Sequence, residues 1–463
     1  MKIIRILLIF ISTIFVNHTL FSQELKYSSG QIIDSIKVKR EPNQTYQLYI
    51  PNNFTDDMNW PVVFIFDPGA RGTIGIKPFI TSAEAYGYIL ICSNNSRNNP
   101  FTINYKIADF VFSDAIKRLP IDTSMIYLAG FSGGSRLSSS IASNNKIIKG
   151  IVACGAGLPP KNFFNTMTDL SFSFAGIVGD RDMNYLEMIN NKEYLKKLKL
   201  SNTLFIYEGD HSWPPDSIVL RAFDWLEIEN LRKNNSKNIN LVKLLYNKDY
   251  SIALKNEISN KLTEAYSEYM HMLNVYSYLI EIDSIAKKIS ELEKNKSYKK
   301  QYKNKLRFES NEEELIKSYF ERLAVDAYTK ADTIYDYWKI EGEKIQRTIK
   351  SKNIEASKMA ERIQSNIWLW CYESGLNFKK NNDIDYFVFT NRLWVLFKPS
   401  DIYPNFQLAK YYATIGKIRK SLKYLEHSVQ NGLNDKTFIK DTDEFKILEN
   451  NNRFKKILSS INE

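Results

Sequence analysis

Between Gln31 and Trp225, compact apolar runs alternate with longer stretches of mixed polarity. The runs are QTYQLYI (44–50), VVFIF (62–66), YILIC (88–92), MIYLA (125–129), GIVAC (150–154), FSFAGIV (172–178) and TLFIY (203–207). Each is too short for a helix of normal length, and most are apolar at every position rather than at every second one. A strand apolar on both faces is covered on both faces, which is the signature of a parallel sheet between helical layers. The intervening segments ITSAEAYG, IADFVFSDAIKRL, MNYLEMINNKEYLKKL and SIVLRAFDWLEIENL have helical spacing, as does the stretch after Ser132. The pattern therefore predicts an α/β unit over residues 24–232 with a mostly parallel sheet.

Beyond that point the pattern changes. LRKNNSKNIN lacks periodicity, and residues 233–240 read as a linker. From 241 to 463 the chain is rich in Lys, Glu, Tyr and Leu at helical spacing and predicts an all-α domain. Near its end, residues 404–435 place Ala409, Tyr412, Gly416, Ser421, Leu425 and Ser428 at spacings that resemble a tetratricopeptide repeat, a pair of antiparallel helices. Ser stands at several positions where that family prefers Ala. Phe445, Leu448, Phe454 and Leu458 follow as an expected closing segment over the last helix pair.

Charge refines this division. The net charge is +11, yet residues 24–232 carry 21 basic and 21 acidic side chains, so the excess lies almost wholly in 233–463. There it is interleaved with acids along helices, which reads as a solvated surface rather than a nucleic-acid groove. Three cysteines form no disulfide framework, and four histidines with them make no metal-ligand cluster. Neither a metal nor another cofactor is expected. The N-terminus carries Lys2 and Arg5 ahead of an apolar run from Ile6 to Val16, the layout of a signal peptide over residues 1–22. The expectation is an exported protein, periplasmic or secreted after cleavage, with no stable membrane span.

The chemistry begins at Gly130-Phe131-Ser132-Gly133-Gly134, which joins an apolar strand to a helix. The glycines permit a turn too tight for a Cβ, and Ser132 projects alone beside a helix N-terminus. A serine hydroxyl needs a base, and the base needs an orienting group. His211 is the one histidine of residues 24–232, and it follows the strand TLFIY within a few residues. Asp180 and Asp182 follow the strand FSFAGIV. All these sites fall at the C-terminal ends of strands, on one rim of the sheet. Asp182 is the favoured acid and Asp180 its rival, while Asp210 reads as a turn residue.

The elbow, the Gly-x-x-Asp of Gly179 to Asp182 and the Gly-x-His of Gly209 to His211, in this order, resemble the α/β-hydrolase superfamily, near its dienelactone-hydrolase and feruloyl-esterase-like branch. The resemblance covers residues from about 43 to 230. It implies Ser132 as nucleophile, His211 as general base and then acid, and Asp182 as orienting carboxylate. For the oxyanion it implies two N–H donors. One is that of Gly133, and the other comes from the loop DPGARG after the strand VVFIF. Where many relatives have His-Gly, this chain has Asp67-Pro68, which moves the second donor to Gly69, with Ala70 less favoured.

Only about seventeen residues separate GIVAC from FSFAGIV, too few for a large helical lid, so the site is expected to be open. Arg97 and Trp213 are the candidate substrate contacts, each with a plainer role as a solvated arginine or a loop-packing indole. The expected function is an exported serine hydrolase of carboxylic esters, including acyl or feruloyl esters of polysaccharides. A serine peptidase of the prolyl-oligopeptidase type is one alternative. Another is an inactive interaction protein that binds a protein partner through its helices.

Overall fold

The computed structural model describes residues 27–166, 170–236, 238–329 and 334–461, so the expected signal peptide over residues 1–22 lies outside the described residues. Eight strands form one sheet: β1 (Ile32–Lys37), β2 (Thr45–Tyr49), β3 (Trp60–Phe66), β4 (Ile89–Ser93), β5 (Ile121–Phe131), β6 (Ile148–Cys154), β7 (Ser173–Gly179) and β8 (Asn202–Tyr207). Their spatial order is β1-β2-β4-β3-β5-β6-β7-β8. β2 runs antiparallel to both its neighbours, and β3 through β8 pair in parallel. This is the mostly parallel sheet between helices that the pattern predicts.

The seven apolar runs all become strands. β1 is the element the pattern misses. It lies on the sheet edge with several residues exposed, and its register shifts between Ile33 and Ile36, where Ser35 takes φ 53°. An edge strand with an irregularity carries neither a continuous apolar run nor a clean alternation.

The pleat sends successive residues to opposite faces. Val63 and Ile65 of β3 join one buried cluster, while Val62 and Phe64 join another with Val111 and Ala115 of the helix Phe101–Arg118. The first cluster does not stop at the sheet. It continues through Val219 and Trp225 of the helix Asp216–Lys233 to Leu245, Tyr269, Met272 and Ile285 in helices beyond residue 239. Arg221, on the same helix, pairs with Asp249 at 3.1 Å and Glu268 at 2.7 Å.

From Ile239 onward the described residues hold helices and no strand. Ile402–Thr414 and Ile418–Gln430 form a hairpin in which the buried Ser421 hydroxyl donates to the carbonyl of Ala409 at 2.8 Å. That bond satisfies a polar group at a position where an alanine would make none. Phe445, Leu448, Phe454 and Leu458 are buried against this hairpin with Phe406 and Leu425.

Candidate active site

β5 ends at Phe131 and the helix Gly133–Ser143 begins two residues later, so Ser132 alone must reverse the chain. It does so at φ 51° and ψ −118°, a conformation that costs a non-glycine residue about 1–3 kcal/mol. The bend closes because Gly130 and Gly134 lack a Cβ. One at Gly134 would lie 2.0 Å from the Phe66 carbonyl oxygen, and one at Gly130 would lie 2.3 Å from the carbonyl carbon of Gly134. The Ser132 N–H is tied to the carbonyl of Cys154 at 2.8 Å, which anchors the turn to β6. The N–H of Gly133 opens the helix, where no intrahelical acceptor reaches it and the helix dipole favours negative charge.

Asp182 follows β7 by three residues and His211 follows β8 by four. The structure brings these side chains and Ser132 together. Nε2 of His211 lies 3.1 Å from Ser132 Oγ, and Nδ1 lies 2.8 and 2.9 Å from the two carboxylate oxygens of Asp182. A carboxylate on Nδ1 holds the proton there, which leaves Nε2 as an acceptor facing the hydroxyl. Phe131 packs against the imidazole with ring centroids 4.7 Å apart. Asp182 is 1% exposed. Burial, the largest influence, holds its carboxyl above the ordinary value, although the hydrogen bond from His211 and the N–H of Asn184 pull it down.

Asp180 does not face the imidazole. Its oxygens take the N–H of Gly209 at 3.2 Å, Arg181 at 3.1 Å and Lys358 at 3.0 Å. Asp210 accepts the hydroxyl of Ser212 at 2.7 Å, as a turn residue does.

The loop after β3 departs from expectation. Asp67 is fully buried and folds back on its own loop. It accepts the N–H of Gly69 at 2.8 Å and of Arg71 at 3.2 Å, the Arg71 guanidinium at 3.0 and 2.9 Å, and the Trp213 indole N–H at 2.9 Å. Burial alone would raise this carboxyl, but these hydrogen bonds outweigh it and hold it below its ordinary value. The Gly69 N–H, expected as an oxyanion donor, is thus engaged by a charged acceptor. The Ala70 N–H is bonded to the Asp67 carbonyl at 3.1 Å.

Trp213 is likewise accounted for by packing. Its ring meets Phe79 edge-on at 5.7 Å and lies 5.3 Å from Phe131, so it joins the His211 loop to the Asp67 loop. Arg97 is exposed, and its backbone bridges to Gly69. Beside it, the Asn98 carboxamide sits directly over Gly133, where a Cβ would lie 1.9 Å from Asn98 Oδ1. Cys92 and Cys154 are buried thiols. Among the described residues no group of His, Cys, Asp and Glu is arranged to hold a metal ion, and no helix is long and apolar enough to cross a membrane.

No protein-family profile matches the sequence, and no curated protein matches it either. Solved structures do match in shape. An S-formylglutathione hydrolase from Staphylococcus aureus aligns with 43% of this chain and 98% of its own, at 14% identity and TM-score 0.37. A ferulic acid esterase aligns with 42% of this chain and 96% of its own, at 13% identity and TM-score 0.34. A dienelactone hydrolase from Klebsiella pneumoniae aligns with 39% of this chain and 88% of its own, at 18% identity and TM-score 0.29. At such identities and scores the functional reading rests on the side chains themselves.

Proposed function

We propose that this protein is a serine hydrolase that cleaves carboxylic esters through an acyl-enzyme. One observation carries the reading: Ser132, on a strained turn, lies within hydrogen-bond reach of an imidazole that a buried carboxylate orients. In the first half-reaction Ser132 Oγ attacks the ester carbonyl carbon while His211 Nε2 takes the hydroxyl proton. The imidazolium is stabilised by Asp182. The carbonyl electrons move to oxygen, and the N–H of Gly133 faces the negative charge at the helix N-terminus. When the tetrahedral intermediate collapses, the C–O bond to the alcohol breaks, and the alcohol leaves with the proton from His211. Water then repeats the sequence on the acyl-serine and releases the acid.

The site favours an ester with an accessible acyl carbon, since the segment between β6 and β7 is short. Acyl or feruloyl esters of polysaccharides fit an open site on an exported protein, and export itself is read from the leader of residues 1–22. A fluorophosphonate probe should label the purified protein, and Ser132→Ala should abolish labelling. Labelling that survives the substitution moves the nucleophile elsewhere. A panel of short-chain nitrophenyl esters, feruloyl esters and proline-containing peptides then separates an esterase from a peptidase.

A further inference from the structure

Asp182 sits on a segment gripped from two sides, and one of the grips comes from the helical half of the chain. Accepting Ser132, His211 and Asp182 as the reactive groups, we infer that the helices Lys296–Asp326 and Ile354–Lys380 fix the placement of Asp182, with Arg362 as the central positioning residue.

In the segment 180–185 the first two N–H groups are held by β8 and the loop after it: Asp180 N–H donates to the Tyr207 carbonyl at 2.8 Å, and Arg181 N–H to the Gly209 carbonyl at 2.9 Å, while the N–H groups of Asp182, Asn184 and Tyr185 bond locally. Two of the segment's carbonyls are held by the helical half. Arg362 Nη1 donates to the carbonyl of Asp180 at 2.6 Å, and Asn366 Nδ2 to the carbonyl of Met183 at 3.3 Å. Positions 362 and 366 are one turn apart on one helix face, so a single rigid element holds the chain on both sides of Asp182. Lys358, a further turn back, reaches the Asp180 carboxylate at 3.0 Å.

Arg362 is itself fixed. Its side chain is 2% exposed and that of Glu312 is 1% exposed. Nε donates to both oxygens of Glu312, at 3.0 and 2.9 Å. The guanidinium lies over the Tyr185 ring at 4.5 Å, and the Tyr185 hydroxyl donates to Glu309 at 2.8 Å. A buried ion pair contributes little net stability, because desolvation offsets the attraction, and an apolar pair could fill the same volume. An apolar pair has no donor for the Asp180 carbonyl. What this pair supplies is a guanidinium locked in one orientation against the segment that carries the triad acid. Such geometry matters because catalytic groups must be held to within about half an ångström.

The test uses the full-length chain. Glu312→Gln combined with Arg362→Met removes the donor without leaving a lone buried charge. Turnover of the best nitrophenyl ester, corrected for folded protein by gel filtration and circular dichroism, should fall by about 10- to 100-fold with KM within about twofold. In a Ser132→Ala background, the low-field proton resonance of the His211 Nδ1–H should broaden away or move upfield, a readout independent of turnover. Turnover within threefold of the parent with that resonance unchanged overturns the inference, whatever happens to the melting temperature. If the double variant does not fold, Asn366→Leu is judged by the same two measurements, with a smaller loss expected and no change overturning the idea. The underlying reading fails separately: a parent protein that no fluorophosphonate labels at Ser132 refutes the reactive site itself, whereas a labelled parent with unaffected variants refutes only the role of Arg362.

Discussion

Replacing Asp182 by Asn tests the site most directly. In the parent, Nδ1 of His211 meets both oxygens of a carboxylate that is 1% exposed. Asparagine offers one oxygen and one NH2. The amide can present its NH2 to an unprotonated Nδ1, which drives the ring proton to Nε2, where it points at Ser132 and can no longer accept. Even in the correct tautomer, the imidazolium formed during attack loses its counter-charge. At the observed 2.8 Å separation and an effective dielectric of about 20, that attraction is about 6 kcal/mol. Each 1.36 kcal/mol is a decade in rate, so the loss is about 10⁴-fold in kcat, of the size seen for the equivalent substitution in a serine protease with this triad. Asp180→Asn is the matched control, because Asp180 faces Lys358 and the Gly209 N–H rather than the imidazole. It should leave kcat within about tenfold, since its hydrogen bonds survive in part. Steady-state hydrolysis of the best nitrophenyl ester, normalised to folded protein, decides. Asp182→Asn retaining kcat within tenfold of the parent, or Asp180→Asn falling further, refutes the assignment.

Five further outcomes follow from the structure. The Asp182 carboxyl titrates above its ordinary value in the folded chain, so its ionisation costs stability, a cost absent in acid and complete once pH exceeds the raised value. Asp182→Asn should therefore melt no lower than the parent at pH 8, and a melting point several degrees lower contradicts that sign. Asp67→Ala leaves the Gly69 N–H, the Trp213 indole and the Arg71 guanidinium without their acceptor and should cost about 2–4 kcal/mol in urea denaturation. The Arg71 share is small, because that side chain is 50% exposed and its charge is screened. The Asp67 carboxyl titrates below its ordinary value, so its contribution is present above the unfolded value and fades as pH falls through the folded one; Asp67→Asn should flatten the loss of stability below about pH 4. Gly134→Ala, which forces a Cβ to 2.0 Å from the Phe66 carbonyl, should cost about 3 kcal/mol or more and abolish labelling of Ser132. Gly416→Ala, with φ 69° and nothing within 4 Å, should cost only about 1 kcal/mol.

The parallel strands are legible because burial on both faces writes itself as uninterrupted apolar sequence. β1 is not, since an edge strand with a register shift meets water along much of its length. Ser132, Asp182 and His211 can be read because each follows a strand at short range, and strand ends in a parallel sheet share one rim. The Gly69 N–H illustrates the limit. Its engagement depends on Asp67 folding back to collect donors from its own loop and from Trp213, far along the chain. The same holds for Arg362 and Glu312. Charged residues among lysine- and glutamate-rich helices read as a wet surface, and only tertiary packing turns these two inward. Residue type at one position carries no record of a partner fifty residues away.

One apolar cluster joins Phe205 of β8, Val219 and Trp225 to Tyr269, Met272 and Ile285. The polar stretch that separates the two halves in sequence is therefore a poor place for recombination. A crossover there would marry each oily face to a stranger shaped for a different mate. Lineages that shuffle their modules freely would lose such offspring, and the two halves should descend together, each drifting only as fast as the other can follow.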